Sequence, residues 1–266
     1  MIKLIATDMD GTFLNRQHAY DGRRLQKLLD SCEEKGVLFA AASGRGILSL
    51  EKLFAPVKDR IIFIAENGSL VTYQGETLYE AQMSRECYLG VFDQLKSCPL
   101  VDTGKLLLTG KKACYVLDSV DPEYLRVSAN FNENIQKVTR LEDIEDDLFK
   151  FTLNFEQDQV LEGETWVNEH IAGVKAMTTG FESIDVVLDH VDKGVAITAL
   201  ADKMGWTRDQ LLAFGDNLND LHMMQVVGQA VAPENARPEI LELADKVIGH
   251  HDEESVIAYM EEVIRD

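Results

Sequence analysis

Leu4-Ile5-Ala6-Thr7-Asp8-Met9-Asp10-Gly11-Thr12 is the stretch whose reading decides the fold. Its short apolar run has the length and composition of a buried strand, and it stops abruptly in two acids and a Gly-Thr turn. In an open parallel sheet, ligands bind just beyond the carboxyl ends of the strands. Asp8 at the strand end and Asp10 two residues on therefore fall where chemistry is done. One carboxylate there can attack a substrate while the other handles its proton.

Working outward, residues 21–35 carry Leu25, Leu28 and Leu29 on one helical face, with Gly36 as the stop signal. Residues 37–42 are a second apolar run, ending in Ser43-Gly44-Arg45-Gly46, and a helix with Ile47, Leu50, Leu53 and Phe54 ends before Pro56. Residues 61–65 form a third run, ending in Glu66-Asn67-Gly68. Apolar strands alternating with helices predict an α/β fold with a parallel sheet covered on both faces.

The rhythm then changes. Residues 70–73 and 77–79 predict a hairpin. Beyond it, strands are expected at 105–108, 113–117, 148–154, 174–178 and 183–188, with helices at 86–96, 122–130 and 160–171. From Lys193 the alternation returns: helix 194–204, strand 211–214 ending in Gly215-Asp216-Asn217-Leu218-Asn219-Asp220, helix 221–227, strand 230–232, helix 238–244, strand 246–248 and a terminal helix from about residue 253. The expected organisation is a discontinuous α/β core, residues 1–82 and 189–266, interrupted by an inserted α+β layer over residues 83–188.

Composition narrows the function. The chain has 266 residues, 45% hydrophobic, with 46 acids against 26 Lys and Arg and a formal net charge of -20. Such a surface repels nucleic-acid phosphates and anionic membranes, so neither is expected as a partner. An anionic small substrate stays admissible, because a metal ion and a few placed cations reverse the potential locally. Cys32, Cys87, Cys98 and Cys114 form no Cys-x-x-Cys pair and have no His at zinc-finger spacing. With no signal-peptide pattern and no long apolar run, a cytoplasmic protein with reduced thiols is expected.

The strand ends gather one kind of chemistry. Asp8, Asp10, Ser43, Asp216 and Asp220, with Lys193 at a nearby helix start, are far apart in sequence but converge at one edge of a parallel sheet. Carboxylate and carbonyl oxygens suit Mg²⁺, while a hydroxyl and an ammonium can hold phosphoryl oxygens. An aspartate nucleophile would pass through an aspartyl-phosphate.

These residues resemble the four ordered motifs of the haloacid dehalogenase superfamily: Asp8-Met9-Asp10-Gly11-Thr12, Ser43, Lys193, and Gly215-Asp216 followed by Asn219-Asp220. Glu66-Asn67-Gly68 and the long insert after the second motif resemble its Cof-type branch, which carries an α+β cap that selects substrates. The resemblance implies that Asp8 attacks phosphorus and that Asp10 protonates the leaving oxygen, then activates water. It implies Mg²⁺ held by Asp8, the Asp10 main-chain carbonyl and Asp216, with Asp220 orienting the metal shell. Ser43, Lys193 and Asn219 would hold the phosphoryl group together with the loop residues Met9, Gly11 and Gly44. Arg45 falls where a substrate contact is expected.

Other readings compete for single residues. An EF-hand would need Glu where this chain has Ala19. Gly44-Arg45-Gly46 lacks the third glycine of a dinucleotide fingerprint, since residue 49 is Ser. His250 and His251 are expected as surface residues, Val195, Ile197, Leu200 and Met204 as core packing, and residues 142–147 as a solvated loop. The expected function is Mg²⁺-dependent hydrolysis of small phosphomonoesters, sugar phosphates in particular, with substrate contacts in the turn at 178–182. The alternatives are a phosphomutase or phosphotransferase and a non-catalytic phospho-ligand sensor.

Overall fold

A computed structural model of the protein describes residues 1–179 and 182–265. The chain opens with β1 (Leu4–Asp8), α1 (Gly22–Lys35), β2 (Leu38–Ala42), α2 (Ile47–Leu53), β3 (Ile61–Ala65), β4 (Leu70–Tyr73) and β5 (Glu76–Glu80). It continues through α3 (Arg85–Leu95), β6 (Leu106–Gly110), β7 (Cys114–Leu117), α4 (Pro122–Ser128), β8 (Ile135–Val138), β9 (Leu148–Asn154), α5 (Val160–His170), β10 (Val174–Thr178) and β11 (Ser183–Leu188). It closes with α6 (Lys193–Met204), β12 (Leu211–Phe214), α7 (Leu221–Val226), β13 (Gln229–Pro233), α8 (Pro238–Leu243), β14 (Lys246–Ile248) and α9 (Ser255–Arg265).

Contacts divide the chain into two units: Met1–Ser43, Phe54–Tyr79 and Asp192–Asp266 in one, and Gly44–Leu53 with Glu80–Val191 in the other. The expectation from sequence kept α2 with the first unit; its contacts group it with the insert.

The first unit is built on an eight-stranded sheet of order β14-β13-β12-β1-β2-β3-β4-β5. The strands from β14 to β3 run parallel, and β4 reverses against β3. Alternation along the strands gives each face its own core. Leu4, Ala6, Ala40, Ala42, Ile62 and Ile64 pack with α6 and α7 on one face. On the other, Phe39 and Phe63 join Phe13, Tyr20 and Phe54 in an aromatic cluster with centroids 5.0–6.1 Å apart. The buried side of α6 is Ala196, Ile197, Leu200 and Ala201, whereas Met204, expected in that stripe, is 41% exposed at the helix end.

Helix ends follow local chemistry. Asp21 accepts from the Arg23 and Arg24 amides at the start of α1, and Gly36 closes it at φ 65°. Asp192 caps α6 through the Val195 amide.

The second unit has a six-stranded sheet of order β10-β11-β9-β6-β7-β8, antiparallel except for the β7–β8 pair. Helices α3 and α5 cover one face over Leu106, Leu108, Phe151, Leu153, Ile184 and Val186. Asp146, within the stretch expected as solvated, instead accepts from the Lys112 amide and the Tyr115 hydroxyl at 2.8 and 3.1 Å, tying the β6–β7 turn down. Among the described residues no helix is long and apolar enough to cross a membrane.

Candidate active site

The register of the first sheet places the site. Thr7 pairs with Phe214 and Asp8 with Ala42, so β1, β2 and β12 end together. The next residues along each strand, Met9 onward, Ser43 and Gly215 onward, therefore emerge at one edge. Ser43 is buried, and its backbone is fixed by donation to Ile64 and acceptance from the Asn67 amide at 2.8 and 3.0 Å.

Lys193, the first residue of α6, is 1% exposed and reaches into this edge. Its Nζ donates to Asp8 Oδ1 at 2.5 Å and to Asp220 Oδ1 at 2.7 Å. Asp8 is 5% exposed and Asp220 is fully buried. Asp220 Oδ2 accepts from the amides of Asp216 and Asn217, which folds the turn after β12 around it. Asp216 Oδ1 accepts from the Thr12 hydroxyl at 2.7 Å. Thr12 is buried one turn beyond Asp8, so it ties the first motif to the last.

Close backbone approach requires glycine here. A Cβ on Gly11, whose φ is 86°, would stand 2.5 Å from Asp216 Oδ2, and one on Gly215 would stand 2.5 Å from Asp220 Cβ. A Cβ on Gly68, at φ 99°, would overlap the Asp192 carbonyl and the Lys193 amide, so the Glu66-Asn67-Gly68 turn sets where α6 begins. Behind it, His222 Nδ1 pairs with Asp192 Oδ1 at 2.6 Å.

The cluster is electrostatically unbalanced. Carboxylate atoms of Asp8, Asp216 and Asp220 lie within 4.8 Å of one another. Three carboxylates against one ammonium leave a net negative buried site. Burial pushes the Asp8 pKa well above its ordinary value; Lys193 opposes the rise while Asp220 and Asp216 add to it. Asp216 rises to about 6 through burial, with Asp220 adding to the shift and the Thr12 hydrogen bond opposing it. Burial would lower the Lys193 pKa, but Asp220 and Asp8 carry it above its ordinary value. Oxygen donors with uncompensated negative charge fit a hard divalent cation, which would relieve both upward shifts.

The remaining expected residues are placed differently. Asp10 lies past the strand on the turn, with its carboxylate 41% exposed and 3.0 Å from His18 Nδ1, so its side chain stands outside the buried cluster. Met9 is buried, and its carbonyl accepts from Phe13 and Leu14. Asn219 is half-buried beside Asp220. Gly44 and Arg45 belong to the second unit, where the Gly44 carbonyl accepts from Lys150. Of the turn at 178–182, Thr179 bonds Ser183, while residues 180 and 181 lie outside the described residues.

Thr12, which closes the first motif, is a partner of Asp216 that no local signal in the sequence announces. Asn235 has no signal in the sequence, and His251, expected at the surface, is instead half-buried; they bond the Gly11 and Leu14 carbonyls.

Comparisons with known proteins identify the family. The sequence profile of the haloacid dehalogenase-like hydrolases matches residues 5–260. The chain is 29% identical to 5-amino-6-(5-phospho-D-ribitylamino)uracil phosphatase YbjI of Escherichia coli, over 99% of this chain and 97% of that one. It is 26% identical to the HMP-PP phosphatase of Cronobacter sakazakii, over 98% and 95% of the two chains. The crystal structure of SMU.1108c from Streptococcus mutans superposes with a TM-score of 0.91, at 25% identity and full coverage of both chains.

Proposed function

Because the chain belongs to the haloacid dehalogenase-like hydrolases, we propose that it is a Mg²⁺-dependent phosphatase of small phosphomonoesters working through an aspartyl-phosphate on Asp8. The observation that carries the reading is the buried, net negative cluster of Asp8, Asp216 and Asp220 around Lys193 at the carboxyl edge of the sheet. A surplus of buried carboxylate is costly to hold without a cation and has a use once one is bound.

Mg²⁺ would be held by the Asp8 carboxylate, the Asp10 main-chain carbonyl and Asp216. It would lower the pKa of the nucleophile and neutralise charge on the phosphoryl oxygens. In the first step an Asp8 carboxylate oxygen forms a bond to phosphorus as the bond to the leaving oxygen breaks. The Asp10 carboxyl gives that oxygen its proton. In the second, Asp10, now a carboxylate, takes a proton from water, whose oxygen bonds to phosphorus and frees Asp8. The exposure of Asp10 suits it to both transfers, since it can meet substrate and then water.

Lys193 and Ser43 would hold phosphoryl oxygens, with Asn219 and the loop amides around Met9, Gly11 and Gly44 as further donors. Asp220 would act by holding Lys193 and the turn that carries Asp216. The insert would discriminate among leaving groups, Arg45 being one candidate contact. Relatives named for a phosphoribityl pyrimidine, for HMP-PP and for pyridoxal phosphate support a small phosphorylated metabolite as the substrate class. Sugar and sugar-alcohol phosphates are the favoured members.

The test is phosphate release from a panel of sugar phosphates, ribityl phosphates, pyridoxal phosphate, nucleotides and an aryl phosphate, with Mg²⁺ and with chelator. Release that needs Mg²⁺ and ends with Asp8→Asn supports the reading. Well-folded protein that binds members of the panel without releasing phosphate would favour a sensor instead.

A further inference from the structure

His250, His251 and Asp252 bring three potential metal ligands together outside the cluster around Lys193. Their hydrogen bonds point to another use. His251 Nδ1 lies 2.7 Å from the Leu14 carbonyl, which can only accept, so this nitrogen carries the proton and donates. Asp252 Oδ1 accepts from the Arg16 amide at 2.7 Å, and its other oxygen pairs with the Arg16 guanidinium. Glu254 Oε1 accepts from the Asp21 amide at 3.0 Å. Three residues of one short segment thus hold the backbone of the loop that leaves Asp10 at three points.

A second tether starts from the turn after β13. Asn235 Nδ2 donates to the Gly11 carbonyl at 2.8 Å, and its Oδ1 accepts from the His251 amide at 3.1 Å. Two residues on, the Arg237 amide donates to the Asp216 carbonyl at 2.9 Å. The same turn therefore fixes the residue after Asp10 and the backbone of Asp216. Asn235 lies between the two tethers, with both ends of its amide engaged.

We infer that Asn235 and His251 are positioning residues that set the turn bearing Asp10. The inference rests on the reading of Asp10 as the proton-transfer group. The Gly11 carbonyl belongs to the Gly11–Thr12 peptide, one residue beyond Asp10, and Gly11 itself turns the chain at φ 86°, a conformation open to glycine. Fixing the Gly11 and Leu14 carbonyls leaves the intervening turn little freedom. Asp10 must meet the leaving oxygen and then water, and misplacement of a reacting group by about 1 Å can cost about 100-fold in rate. Neither residue touches substrate in this account; each acts through the backbone on which Asp10 rides.

The experiment compares wild type, Asn235→Ala, His251→Ala and His251→Asn, whose amide nitrogen can stand where Nδ1 does. It reads steady-state kinetics on an aryl phosphate and amide hydrogen exchange over residues 9–16. Asn235→Ala and His251→Ala are expected to lower kcat by roughly tenfold or more while KM changes by less than about threefold. Exchange over residues 9–16 should quicken, and His251→Asn should recover most of both losses. Folded variants with wild-type exchange over this segment, or with faster exchange but unchanged kcat, would overturn the inference. A half-buried position such as His251 is expected to tolerate alanine, which keeps the test open should Asn235→Ala misfold. If wild type hydrolyses nothing, the phosphatase reading fails, while unchanged exchange would separately remove the clamp.

Discussion

Among the described residues two lysines are buried beside aspartates, one in each unit, and their surroundings differ. Lys150 in the insert is 7% exposed and pairs with Asp185, itself 3% exposed, at 2.9 Å. The Thr152 hydroxyl donates to the other oxygen of Asp185 at 2.8 Å, and Lys150 also donates to the Gly44 carbonyl at 2.5 Å. Lys150 and Asp185 pair directly, and further hydrogen bonds support both. Lys193 meets two carboxylates and stands near a third, so its site stays negative. A buried ion pair supported by hydrogen bonds needs no chemical role, whereas a cluster with more carboxylates than cations is the kind of setting in which functional groups with shifted pKa values gather. The difference is in line with the chemistry proposed for Lys193, and with Lys150 holding the Gly44 backbone.

The largest contrast should come from removing carboxylates. Asp8→Asn is expected to cut phosphate release to below about one-thousandth of wild type, since it removes the oxygen proposed to bond to phosphorus. Asp185→Asn in the insert should leave Mg²⁺-dependent turnover measurable on the same substrate. Equal loss in both variants would remove the distinction.

Next in size is stability. Lys150→Met removes the ammonium beside the buried Asp185 carboxylate and should lower unfolding free energy by about 3–5 kcal/mol in denaturant titrations. The double variant Lys150→Met/Asp185→Leu should cost less than Lys150→Met alone, because the carboxylate leaves with its ammonium partner. In the first unit, Gly68→Ala forces a Cβ onto the Asp192 backbone at positive φ and should cost at least about 2 kcal/mol. Turnover should fall with it, because α6 carries Lys193.

The smallest effect is a pH dependence of opposite sign to that of ordinary salt-bridged carboxylates. Asp216 has a folded pKa of about 6, above its ordinary 3.8. Its contribution to stability is therefore present at low pH and is lost as pH rises through about 6. In metal-free protein, Tm should fall between pH of about 5 and 7.5 more steeply for wild type than for Asp216→Asn. Mg²⁺ should raise the wild-type Tm more at the upper pH, where the carboxylate is ionised. Parallel melting curves for the two proteins would contradict the charge surplus on which the comparison rests.

Much of this was legible in the sequence because the core obeys simple periodicity. Strands 61–65, 211–214 and 246–248 have the bounds expected from their apolar runs. The convergence of Asp8, Asp216, Asp220 and Lys193 follows from parallel strands ending at one edge. What escaped notice lacks a local signal. Strand β8 carries Gln136 and Lys137 on the edge of the insert sheet, with no apolar run to announce it. The attachment of α2 to the insert depends on tertiary contacts: Ser49 donates to the Phe131 carbonyl and Lys52 pairs with Glu133. His251 looked like a surface residue because its partner is a backbone carbonyl, and any residue can supply one. For the same reason Lys150 read as a strand residue like its neighbours.

The central claim is that Asp8 becomes phosphorylated during turnover. Rapid quenching of the Mg²⁺-loaded enzyme with substrate, followed by peptide mass analysis, tests it most directly. The account predicts a phosphoryl adduct on the peptide containing Asp8, absent from Asp8→Asn and longer-lived in Asp10→Asn, where water is not activated. Steady turnover with no adduct on that peptide, or turnover retained by Asp8→Asn, would contradict it.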